Sequence, residues 1–207
     1  MKKITKLLFL PGLVIPIWLF VGVSFIASKL PGYDHVRDLM SRLGEKGSIT
    51  EAISPYVNNY PIGALFVLFG VGLIYGFRSA GAKLGGVLFV SHGLLSIIAG
   101  VFPCDTGCPF TGSYSQYVHT AAAFLMFLTC LLAILFIGNT FKTENGSAIM
   151  ATFSYVIIMV SVFALALALY SSLYGGLAGL FQRVSYGAVV IWVFVVSAKT
   201  MRIPITH

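Results

Sequence analysis

The sequence predicts an all-α membrane protein: a bundle of six transmembrane helices, both termini cytoplasmic (N-in/C-in), with a partly helical first extracytoplasmic loop. Three observations carry this reading. The 207-residue chain is 58% hydrophobic and only 9% charged, whereas a water-facing surface needs roughly a quarter of its residues charged, so the outer surface must meet lipid. Six apolar runs approach the roughly 20 residues that cross a hydrocarbon core about 30 Å thick. Their lack of polar alternation selects helices over a barrel. Third, positive residues gather in alternate breaks between the runs. At this length the chain reads as a single integral membrane domain over 1–207, multi-pass in the cell inner (plasma) membrane.

The first span, 7–28, follows Lys2, Lys3 and Lys6. Its apolar stretch exceeds the roughly 7–15 residues of a signal core, and Pro11 and Pro16 are expected to bend it. The second, 62–77, is short and is allowed a start near Tyr56. The others cover 84–102, 118–137, 149–170 and 178–198. With the N-terminus inside, the Lys and Arg residues at 2, 3, 6, 78, 83, 142, 199 and 202 fall in cytoplasmic segments. Lys29, Arg37, Arg42 and Lys46 fall outside, offset by Asp34, Asp38, Glu45 and Glu51. That asymmetry sets the orientation. The net charge of +7 is thus a membrane signal. No stripe of Lys and Arg interleaves with aromatics, which excludes nucleic acid as a partner.

Three breaks then face outward, 29–58, 103–117 and 171–177. Within the long one, "DHVRDLMSRLG" puts Val36, Leu39, Met40 and Leu43 on one helical face, with Asp34 able to cap the start and Gly44 the end. Ser48 and Glu51 read as a capping box for a second short helix stopped before Pro55. The loop is expected to be folded, as a lid on the bundle or as an amphipathic connector.

The second outer break carries "GVFPCDTGCPF", residues 100–110. An oxidising compartment on that side would favour a Cys104–Cys108 disulfide, which closes a short loop and so stabilises modestly. Free thiols, metal binding and redox chemistry stay open. A redox pair usually has two intervening residues rather than three, and zinc needs a fourth ligand beyond Cys104, Cys108 and His119. Cys130, inside the fourth span, reads as a packing residue.

Titratable side chains at membrane depth are functional candidates by default. His92 lies near the middle of the third span, His119 opens the fourth, Arg183 lies early in the sixth, and Asp105 begins the outer turn. Haem ligation by His92 and His119 is disfavoured by their different depths. A second histidine pair is missing too, since His35 is in a loop and His207 ends the chain. His92 reads instead as hydrogen-bonded to a neighbouring helix. Arg183 is expected to snorkel to the nearby interface, to pair with Asp105, Asp38 or Asp34, or to hold an anionic headgroup. No Walker loop, HExxH or Gly-x-Ser-x-Gly elbow is present.

These residues together resemble the domain of unknown function 998 family, prokaryotic six-helix membrane proteins, over nearly the whole chain. "SRLGEKGS" (41–48) is similar to that family's first-loop Ser-Asp-Leu-Gly stretch, followed by Asn58 or Asn59 before the second span. "GVFPCD" (100–105), with His119 further on, is similar to its Gly-Leu-Phe-Pro-x-Asp…His pattern, and "GLFQR" (179–183) to its last-helix Gly-x-x-x-Arg. Arg42 stands where the family usually has an aspartate, and the two cysteines depart from its pattern. The resemblance implies the topology and groups Asp105, His119 and Arg183; it implies no activity.

The expected function is binding of a lipid or other amphiphile in an outward-facing polar pocket near the membrane surface, lined by Arg183, His119, Asp105, Asn58 and Asp38. Alternatives are a membrane enzyme using His119 and Asp105 on a lipid-linked substrate, a haem, metal or thiol-redox protein, and a structural module built on Gly-rich spans. No cofactor is expected, with haem and zinc as lesser options. Membrane lipids are the expected partners, and a homo-oligomer stays open.

Overall fold

The computed structural model describes residues 3–143 and 147–202, so Lys2 and His207 lie outside it. All regular structure among the described residues is helical. The first span is broken into α1 (Lys3–Leu7) and α2 (Leu10–Ala27). Pro11, near the start of α2, has no N–H to offer Leu7, so it interrupts the helix where a bend was expected, while Pro16 sits inside α2. The second span begins early, as the short α3 (Ser54–Val57) running into α4 (Asn59–Gly76). Pro61 leaves the Val57 carbonyl without its helical donor, and the Trp18 indole of α2 supplies one at 2.8 Å. Then come α5 (Ala80–Val101), α6 (Tyr114–Thr143), α7 (Ala148–Tyr174) and α8 (Ala178–Met201). Six helical stretches are thus long and apolar enough to cross a membrane. The fourth and fifth run past the predicted ends, shortening the third outer break to the glycine turn around Gly175.

The first loop departs from its predicted form. In place of one amphipathic helix over 34–44 there is a turn at 35–38 and a 3-10 helix, Met40–Gly44. Only part of the predicted stripe is buried, Leu43 fully while Val36 is exposed. Asp34 does accept from the Val36 amide at 2.8 Å, an Asx turn that competes with helix. Nor does a helix stop before Pro55: α3 starts there, because a proline in a first turn has no N–H to lose.

Helices α4 and α5 pack antiparallel through two reciprocal glycine pairs, Gly63 with Gly93 and Gly70 with Gly86. A Cβ at Gly70 would stand 2.5 Å from the Gly86 carbonyl oxygen, and one at Gly86 would stand 2.7 Å from that of Gly70. Small residues let the backbones touch. Phe66, Phe69 and Phe89 fill the space beyond, and Phe89 stacks on Trp192 of α8 at 5.9 Å. The Trp192 indole donates to Ser154 Oγ of α7 at 2.9 Å, and Ser161 and Ser185 bridge the same two helices. Helix α8 is the most buried of the six. Side chains such as Phe20, Met159 and Phe163 project outward, where lipid would cover them. Lys6 Nζ donates to the Met201 carbonyl at 2.9 Å, so the two ends of the described chain lie on one side of the bundle, opposite the first loop.

Candidate functional site

Beneath the first loop a cavity of about 140 Å³ runs between α2, α4, α5, α6 and α8. Its upper wall is Met40, Ser41, Gly44 and Pro103, and it deepens to His92, Cys130 and Tyr186. Small residues at the helix contacts, Ala99 and Gly100 on α5 and Ala123 on α6, leave the space that larger ones would fill.

His119 supplies its best-defined polar group. Its Nδ1 lies 3.0 Å from the Ala99 carbonyl oxygen and 2.8 Å from that of Phe102. Both are acceptors, so Nδ1 carries the proton and donates to them. These carbonyls belong to the end of α5, where helix geometry leaves them without intrahelical donors. In the neutral ring Nε2 is then an acceptor, and it bonds nothing among the described residues; the residue as a whole is 9% exposed. Asn58 adds a buried Oδ1 without a partner among the described residues, against Gly22 of α2. Asn59 and Ser96 are engaged with each other's backbone: the Ser96 hydroxyl donates to the Asn59 carbonyl at 3.0 Å, and the Asn59 amide to that of Ser96 at 3.3 Å. Gln182 accepts from the Met40 N–H at 2.7 Å, tying the roof to α8.

At the floor, His92 Nε2 is 3.0 Å from the Tyr186 hydroxyl, and Nδ1 is 3.0 Å from both the Met126 carbonyl oxygen and Cys130 Sγ. His92 is thus hydrogen-bonded to neighbouring helices, and Cys130 is a buried thiol in the packing. Among the described residues no three metal-binding side chains approach one another.

The other expected site residues lie elsewhere. Asp105 is not in the cavity. Its Oδ1 meets Lys46 Nζ at 2.8 Å and accepts from the Ser113 hydroxyl at 2.7 Å, and Oδ2 accepts from the Ser113 amide at 2.6 Å. Glu45 accepts from the Gly107 amide at 2.6 Å, and the Lys46 N–H donates to the Cys104 carbonyl at 2.9 Å. The first two loops are therefore clasped together. Cys104 and Cys108 stand at disulfide distance, their Cα atoms 5.0 Å apart, on a turn where Gly107 takes a positive φ of 80°.

Arg183 is a second fastening. It meets no carboxylate among the described residues; its guanidinium donates to the carbonyls of Asp38 at 3.0 Å and Gly179 at 2.9 Å and to the Tyr33 hydroxyl. The expected ion pair with Asp34, Asp38 or Asp105 is absent because those carboxylates have nearer partners. Asp38 pairs with Arg42 at 2.6 Å. The Tyr33 ring lies under the guanidinium at 5.7 Å. Burial pushes the Tyr33 hydroxyl pKa up, though Arg183 pulls against it, which keeps a donor for the Leu39 carbonyl at 3.1 Å. The cavity thus unites His119 and Asn58, while Arg183, Asp38 and Asp105 fasten its roof. Asn59, Ser96, Gln182, Tyr186 and Lys46 were not singled out as ligand-site candidates. Asn59, Gln182 and Lys46 fall in or beside the stretches that resemble the family, whereas Ser96 and Tyr186 fall in none of them.

The clasp has a pH signature. The Lys46 ammonium, with the Ser113 amide and hydroxyl, holds the Asp105 carboxyl down to about 2. A depressed carboxyl stabilises the fold fully above its unfolded value, about 3.9, and loses that contribution as pH falls toward the folded value. The Ser113 amide proton should therefore titrate, by NMR, with a midpoint near 2. A midpoint near the unfolded value would mean that the clasp is open.

A family model described as "Protein of unknown function (DUF998)" matches residues 13–199. No curated protein and no solved structure matches the chain.

Proposed function

Because the chain belongs to the DUF998 family of proteins of unknown function, whose description carries no activity, we propose one from the cavity: binding of a lipid or other amphiphile. Its polar end would meet His119 and Asn58, and its apolar part would lie along Leu19, Val23, Ile62 and Phe127. The observation that carries this reading is the His119 ring, fixed through Nδ1 with Nε2 left without a partner beside apolar walls. A ligand pocket is expected to look like this, mostly apolar with a few placed polar groups. At about 140 Å³ the space compares with an engineered cavity of roughly 150 Å³ that takes a benzene-sized guest, so it suits a head group or one chain segment.

We place the cavity side outward, in the cell inner membrane. The excess of Lys and Arg at the opposite ends of the spans supports this, as does a disulfide-distance cysteine pair beside the roof. One observation favours a second reading. A histidine held in one tautomer by its other nitrogen is also how a general base is oriented, so His119 alone, without Asp105, could serve a reaction on a lipid-linked substrate.

The test is mass spectrometry of lipid retained by the detergent-purified chain. The wild type should retain a bound amphiphile. Ala123→Phe, which fills the cavity from α6, should lose it while keeping its monodisperse elution. Equal retention by both would place the lipid on the outer belt and sink the proposal.

A further inference from the structure

We infer that the ligand is an uncharged, hydroxyl-bearing lipid of the acylglycerol kind rather than a phospholipid or other anion; this rests on the amphiphile reading above. Among the described residues no Lys, Arg, Asp or Glu side chain lines the cavity. The charged residues of the roof are engaged with one another or with backbone. Lys46 holds Asp105 at 2.8 Å, and Arg42 holds Asp38 at 2.6 Å with Glu45 at 3.6 Å. Arg183, the one cation that sequence suggested for a headgroup, is bound to the Asp38 and Gly179 carbonyls.

A phosphate in this space would be a buried anion with no counter-charge, which is strongly unfavourable. At the start of α3, which borders the cavity, the Ile53 and Ser54 N–H groups both donate to the Thr50 carbonyl, at 3.2 and 2.9 Å, and Pro55 has no N–H to give. What remains unengaged among the described residues is neutral: two acceptors, His119 Nε2 and the buried Asn58 Oδ1, and two donors, the amide nitrogens of Asn58 and Gln182. A hydroxyl donates to the acceptors and accepts from the donors, so glycerol hydroxyls satisfy both kinds of group. Leaving the buried Asn58 oxygen unpaired is unfavourable, and an ionised phosphate, which only accepts, leaves it so.

The experiment compares 1-oleoylglycerol with 1-oleoyl lysophosphatidate, which share an acyl chain and differ by a phosphate. Apparent affinities are read by native mass spectrometry on the full chain in a nonionic detergent, for wild type and Ala123→Phe. The expected result is 1-oleoylglycerol bound at least roughly tenfold more tightly, with that binding abolished in Ala123→Phe. Lysophosphatidate bound as tightly or more so, and still lost in Ala123→Phe, would overturn the neutral class while leaving an amphiphile site. Failure of both lipids to bind, or binding indifferent to Ala123→Phe, would overturn the amphiphile reading along with it.

Discussion

Gly93→Ala is expected to destabilise the bundle by about 2 kcal/mol, although alanine is the better helix former. The favourable part is a propensity gain of about 0.5–1 kcal/mol. Against it, a Cβ at Gly93 would meet the Gly63 carbonyl oxygen, Val67 Cγ2 at 2.8 Å and the Val67 backbone nitrogen at 2.9 Å. Two of these are backbone atoms of α4 and cannot turn aside, so the helices must part. Overpacking of this kind costs about 1–3 kcal/mol, and here it also loosens the reciprocal pair at Gly70 and Gly86. Gly187 of α8 provides the contrast, since nothing lies within 4 Å of where its Cβ would be. Gly187→Ala should be neutral or slightly stabilising. The measurement is the temperature at which each detergent-solubilised variant loses its monodisperse elution peak. Equal shifts at 93 and 187 would remove the glycine contact from the account.

Arg183→Ala is expected to release the first loop from α8, with a loss of about 2–3 kcal/mol. Two carbonyls and the Tyr33 hydroxyl lose a charged donor, and the cation–π contact with the Tyr33 ring goes with it. Backbone bonds from the Gly179 and Leu180 amides to the Arg37 and Val36 carbonyls, at 3.1 and 2.8 Å, would remain, so the helices stay folded while the roof loosens. Trypsin reports this, because Arg37, Arg42 and Lys46 all lie in the loop. Cleavage there should accelerate by roughly tenfold or more. Arg183→Lys should not restore protection, since a single ammonium lacks the planar fork that reaches several acceptors at once. Asp38→Ala should have a smaller effect, as Arg183 uses the Asp38 carbonyl and not its carboxylate. Slow cleavage in Arg183→Ala would mean that Arg183 is not what holds the loop down.

The six spans were legible because lipid imposes one requirement along each whole segment, and Leu, Val, Ile and Phe report it without ambiguity. The first loop was not, because its stripe of Val36, Met40 and Leu43 fits a helix only if local polar groups do not compete. Here Asp34 takes the Val36 amide and α8 takes the Arg37 and Val36 carbonyls, so the chain turns instead. Pro55 misled in the same way, since a proline that ends one helix is equally good at starting another. At the site, the sequence singled out His119 and Asn58, which the fold brings to one cavity. It could not separate Arg183 and Asp105 from them, because a charged side chain looks the same in sequence whether it meets a ligand or a loop. The deciding facts were the positions of backbone carbonyls at Asp38, Gly179, Ala99 and Phe102, which no side-chain pattern encodes.

The hydrogen-bonded floor of the cavity has a consequence of its own. The Met126 carbonyl oxygen can only accept, so His92 carries its proton on Nδ1 and its Nε2 accepts from the Tyr186 hydroxyl. With its O–H spent on His92, the Tyr186 oxygen has only lone pairs left for the cavity. On the amphiphile reading proposed above, the deep end would welcome an alcohol and turn away an ester carbonyl, so it would sort glycerides by the free hydroxyls they carry.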